Sequence, residues 1–138
     1  MKLILIFTSF LFCNYSNSQD LVGAWKGSFT DYSGNVTIGL RIELNSDSTL
    51  NIHSYTLANN LYGYDSIIIC KVNVLKNKKG VLNLEEIDTT HSSPIGLQKM
   101  YLKYKLKDGK QMLEGIWKPA ESKSMGHGYI SFAKLPDK

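Results

Sequence analysis

From residue 23 onward, hydrophobic residues fall on alternate positions. Val36, Ile38, Leu40, Ile42 and Leu44 are apolar, and Thr37, Gly39, Arg41 and Glu43 sit between them. That period of two predicts a strand with one face in a core and one in water. Met100, Leu102, Tyr104 and Leu106 repeat it, with Lys99, Lys103, Lys105 and Lys107 opposite. The lysine row reads as the wet face of a sheet. Eight strands are expected, near 23–30, 36–44, 50–57, 66–76, 81–87, 98–107, 110–118 and 128–135. No stretch after residue 23 carries the ten or more periodic residues of a helix.

Turn chemistry separates the strands. Asn45-Ser46-Asp47-Ser48 and Asn77-Lys78-Lys79-Gly80 are tight polar turns. Asp108-Gly109 is the two-residue signal of a type I′ hairpin, whose central residues both need positive φ. The first, third, fifth and seventh connectors are longer, at 31–35, 58–65, 88–97 and 119–126. In an up-and-down meander, alternate connectors fall on opposite ends. The pattern therefore predicts an all-β, eight-stranded antiparallel up-and-down barrel with tight turns at its base and long loops at its mouth.

The segment before the strands changes the compartment. Lys2, the apolar run Leu3 to Phe12 and the small residues around Ser16-Asn17-Ser18 are the parts of a secretory signal peptide. The expected division is 1–18 as signal peptide and 19–138 as the barrel domain, secreted or periplasmic. The apolar run is shorter than the roughly 20 residues of a membrane span, and no second one follows, so no transmembrane segment is expected. Cys13 leaves a lipidated anchor open as the alternative, although Phe12 before it is large for that role. Cys70 lies in the run Ile67-Ile68-Ile69-Cys70 and reads as a small buried hydrophobe. The net charge of +4 is mild and its basic residues are dispersed, so nucleic acid is not an expected partner.

Two short segments are alike. Gly23-Ala24-Trp25-Lys26 opens the first strand, and Gly115-Ile116-Trp117-Lys118 lies in the seventh. A glycine two residues before tryptophan shares its face and leaves room for a ring or for the close approach of another backbone. Gly23-Ala24-Trp25 at the head of an eight-strand meander resembles the Gly-x-Trp of lipocalin-like (calycin) barrels. The layout Leu21-Val22-Gly23-Ala24-Trp25-Lys26-Gly27 with Leu113-Glu114-Gly115-Ile116-Trp117 is also similar to small uncharacterised secreted barrels of Bacteroidota. The lipocalin resemblance implies that Trp25 closes the base. It also implies an arginine packed over that tryptophan from the last strand, where this chain offers only Lys134, a poor substitute for planar stacking. Avidins share the compact size, but their biotin-reading residues have no counterpart near 26–35, and biotin is not expected.

Chemistry is sparse. His91 and His127 fall in long loops, while His53 lies in a strand with Tyr55 on its face. No third ligand stands at a metal-binding spacing, and no metal or cofactor is expected. Glu85, Glu86 and Asp88 form the one acidic cluster. Glu85 and Glu86 point to opposite faces, cannot act as a pair, and read as an exposed strand end. No nucleophile-and-base layout is evident, and the chain is expected not to be an enzyme. The long loops carry Tyr32, Tyr62, Tyr64, His91, Met125 and His127, rings with polar tips that suit a site offering apolar area and hydrogen bonds together. The expected function is a binding module for a small, partly apolar ligand, in the barrel or at its mouth. Its residues would be Trp25, Tyr62, Tyr64, His91, Tyr104, Trp117 and His127. The alternative is an envelope protein-interaction module, an inhibitor or accessory subunit, with a filled barrel.

Overall fold

A computed structural model of the protein describes residues 20–31, 34–58, 66–89, 96–120 and 127–138. Eight strands run in order: β1 Gly23–Asp31, β2 Gly34–Leu44, β3 Leu50–Ala58, β4 Ser66–Lys78, β5 Val81–Thr89, β6 Gln98–Lys107, β7 Lys110–Pro119 and β8 Gly128–Lys134. Each pairs antiparallel with the next, and β1 pairs with β8, so the sheet closes into a barrel. Closure follows from the pattern, because a curved sheet with one apolar face buries that face and leaves no open edge.

The tight turns are as their residues require. Asp108 and Gly109 have φ of 51° and 74°, and Lys79 and Gly80 have 51° and 78°. Both pairs therefore occupy the left-handed region that a type I′ turn demands. In the β2–β3 turn, Asn45 N–H donates to Thr49 O at 2.8 Å, and Asp47 accepts from the Thr49 backbone at 3.0 Å.

The first connector is a correction. β1 and β2 continue until Asp31 faces Gly34, leaving two residues between them rather than a long loop. Gly34 and Asn35 lack apolar side chains, yet ladder pairing needs only their backbone. Thr30 also donates to Asn35 Oδ1 across the pair at 2.9 Å. The mouth end thus holds three long connectors and one short one.

The core splits along the barrel axis. Toward the tight-turn end lie Trp25, Ile42, Ile52, Leu82, Leu102 and Phe132, all buried. The chain entering β1 crosses this end. Leu21 is buried there, and its carbonyl accepts the Trp25 indole N–H at 2.9 Å. Toward the other end, Phe29, Val36, Ile68 and Trp117 share the interior with Ser54, Thr56, Glu86 and Gln98.

Two bulges interrupt the β4–β5 ladder. Lys71 faces Asp88 while Val72 faces Glu86, so Ile87 is the extra residue. Val74 faces Leu84 while Lys76 faces Asn83, so Leu75 is the extra residue. A bulge locally re-aims side chains. Both extra residues are pushed out to solvent.

Candidate functional site

The two tryptophans occupy opposite ends. Trp25, on the second inward position from the start of β1, closes the base with 1% of its surface exposed. The Lys134 ammonium stands 5.8 Å from the centre of its ring and donates to Asp20 O at 2.9 Å. A lysine therefore covers this ring, through its stem and its charge. Gly23 makes the approach fit. A Cβ there would lie 2.9 Å from Lys134 Cε, and its φ of +137° is one that side-chain-bearing residues rarely adopt. Tyr104 is half-buried at the same end, and its backbone N–H donates to Gly80 O at 2.8 Å. Burial and the nearby Asp20 hold its phenol above the usual tyrosine range.

Trp117 belongs to the mouth half. Its ring packs on Phe29 with centroids 4.7 Å apart. Gly115, two residues before it, lies against β6 so closely that a Cβ would fall 1.8 Å from Tyr101 O. The two Gly-x-Trp segments thus use their glycines differently, one for a side chain and one for a backbone. Trp117 is 6% exposed, and its indole N–H has no hydrogen-bond partner among the described residues. Trp25 has Leu21 to satisfy it. Trp117 retains a buried donor, and its nitrogen lies against Gly128 at the start of β8, where a Cβ would fall 2.6 Å from it.

Glu86 is the centre of that polar interior and corrects the expectation of an exposed strand end, since only 3% of it is exposed. The physical reason is parity. Leu82, Leu84 and Glu86 share one face of β5, and that face is the lumen. Its neighbour Glu85 faces out and pairs with Lys99 at 3.5 Å. Inside, Ser54 Oγ donates to Glu86 Oε1 at 2.5 Å, and Gln98 N–H donates to Oε2 at 2.8 Å. Ser54 lies on β3 and Glu86 on β5, so the bond crosses the space in front of β4 rather than following the ladder. Cys70, buried on β4 and directly opposite Ser54 in the register, completes this wall.

No cation faces Glu86 in the ion pairs of the described residues. Burial pushes its carboxyl above the usual glutamate range, and the hydrogen bonds from Ser54 and Gln98 only partly oppose this. Chemically, the carboxylate can accept one more hydrogen bond from a guest, or, when protonated, donate one. The indole N–H of Trp117 can only donate.

The sequence-derived site residues separate. Trp25 and Tyr104 lie at the base, Trp117 in the mouth half, and His127 is exposed just before β8 on the mouth side. Tyr62, Tyr64 and His91 lie outside the described residues, as do Tyr32 and Met125. His53 is half-buried on the outer face, between the inward Ile52 and Ser54. Among the described residues, no three His, Cys, Asp or Glu side chains gather as a metal site. No helix among them is long and apolar enough to cross a membrane. In comparisons with known proteins, no family model, no curated protein and no solved structure matches the chain.

Proposed function

We propose that this protein is a lipocalin-like binding module, secreted or periplasmic, that holds a small, partly apolar ligand in the mouth half of its barrel. The observation that carries the reading is the division of the interior. One half is an apolar plug sealed by Leu21, Trp25 and Lys134, and the other buries Glu86, Ser54 and Gln98 beside Trp117. A fold that needs only a core has no use for a carboxylate in it, because burying a charge without a counter-charge costs several kcal/mol. Polar groups in an apolar surround are what fix a small ligand's orientation. No chemistry is assigned to the site, and no metal or cofactor is invoked.

The test is native mass spectrometry of the purified protein, followed by a thermal-shift screen against fatty acids, fatty amines and aromatic metabolites. The expected result is a bound mass or a ligand class that raises the melting temperature, with the effect reduced in Glu86→Leu. A protein that carries nothing and is shifted by no member of the panel would contradict the reading.

A further inference from the structure

The closed end of the barrel carries a second feature that is independent of any ligand inside. Lys76, Lys78 and Lys79 lie on the β4–β5 hairpin, and Lys103, Lys105, Lys107 and Lys110 on the β6–β7 hairpin. They are far apart in sequence, but the β5–β6 register places Val81, which faces Lys78, directly beside Lys103. The β4–β5 tip therefore stands beside Lys103 and Tyr104, and the β6–β7 hairpin continues past it. All seven lysines are exposed, and Asp108 is the one acid within residues 76–80 and 103–110. Glu114, on the adjacent outer wall, takes up only Lys105 at 3.3 Å and Lys107 at 3.0 Å among the described residues. It holds the Lys107 ammonium above its usual range, so that lysine stays charged.

Large apolar side chains stand among these charges. Leu106 is 69% exposed at the β6–β7 tip. It keeps the inward parity of Met100 and Leu102, but β5 pairs with β6 only as far as Lys103, so Leu106 stands beyond the wall that would have covered it. Leu75, extruded by its bulge, is 47% exposed beside Lys76. An exposed leucine flanked by lysines, as Leu106 is by Lys105 and Lys107, is the composition of an interfacial membrane contact, in which the apolar side chain enters the headgroup boundary and the ammonium groups meet anionic lipid.

We propose that the closed end docks on an anionic lipid bilayer, led by Leu106 and the lysines of the two hairpins. The occupant follows from charge complementarity and from the leucines together. A soluble polyanion, such as a sulfated glycan, would meet the lysines and gain nothing from Leu106. The docked orientation places the base against the lipid and turns the mouth away from it.

Vesicle co-sedimentation tests this with the purified protein, using phosphatidylcholine vesicles with and without about 30% phosphatidylglycerol. The expected result is at least about fivefold more protein on the anionic vesicles, with the difference lost near 1 M salt, where screening falls to about 3 Å. Lys78→Ser with Lys103→Ser should abolish most of the difference. Leu106→Ser should weaken vesicle binding about threefold and leave retention on a heparin column unchanged. Each variant alters exposed residues, so an unchanged melting curve confirms that the barrel is intact. Equal binding to neutral and anionic vesicles, or none to either, would overturn the proposal. Vesicle binding indifferent to Leu106→Ser would also overturn it, and would reassign the lysines to a soluble polyanion.

Discussion

The two halves of the barrel interior follow the same alternation and bury different things. At the closed end, the fully buried inward residues are apolar apart from the Trp25 indole, whose donor is satisfied by the chain that crosses beneath it, and the polar inward residues Tyr104 and Gln111 are half-buried near the tight turns. At the mouth end, the inward positions of β3, β5 and β6 turn polar at Ser54, Glu86 and Gln98, and Trp117 keeps an unsatisfied donor. The closed half is built as a core and the mouth half as a partly solvent-like interior. The contrast separates the residues that hold the fold from those that, under the proposed function, would meet a guest.

The largest effect that should expose this contrast comes from the wall common to both halves. Gly115→Val places a branched side chain where Tyr101 O already stands, and only a parting of β6 from β7 could admit it. The expected loss in urea denaturation exceeds about 4 kcal/mol, the range reserved for severe backbone conflict. A loss under about 1 kcal/mol would mean that the two strands are not so close.

Glu86→Gln should act in the opposite direction. The native carboxyl ionises above the usual glutamate range, because burial penalises its charge. A raised native pKa favours the folded state below the unfolded pKa, and that contribution is lost as pH rises through the native value. Glu86→Gln removes the charge and keeps the shape. It should therefore stabilise the protein by about 1–3 kcal/mol at neutral pH. The gain should shrink toward zero below the ordinary glutamate range, and melting curves recorded from acid to neutral pH would check it. A variant less stable at neutral pH would mean that the carboxylate has a counter-charge or bound cation.

The smallest effects distinguish the two indoles. Trp25→Phe removes the donor to Leu21 O and strands a buried carbonyl, at about 1–2 kcal/mol. Trp117→Phe removes a donor that has no partner and should cost less than about 1 kcal/mol. Equal losses would show that Trp117 has found a partner in the folded protein.

The fold was legible because its evidence is repeated. Val36 to Leu44 and Met100 to Leu106 each state the period several times, and Asp108-Gly109 fixes a turn by a backbone requirement that few residues meet. The first connector was missed because Gly34 and Asn35 extend a ladder that needs no apolar side chain. Lys134 has no planar group to stack on Trp25, and its stem instead packs against Gly23 with its ammonium 5.8 Å from the ring centre. The polar interior left a usable signal. Glu86 is in phase with Leu82 and Leu84, as Ser54 is with Ile52 and Gln98 is with Met100. A charged residue at a strand's end is ordinarily solvated, and that expectation outweighed the parity. That Ser54 meets Glu86 across β4 could not be read from spacing, because it depends on how the sheet curves.

The central claim is that a ligand enters the mouth half and leaves the base untouched. The two indole N–H groups report on these halves separately, and a nitrogen-15 correlation spectrum resolves them, with Trp25→Phe assigning which is which. Titration with a ligand from the thermal-shift screen should move the Trp117 indole resonance, as its free donor finds an acceptor, and leave the Trp25 resonance in place. Movement of Trp25 alone, or of neither indole, would contradict the account.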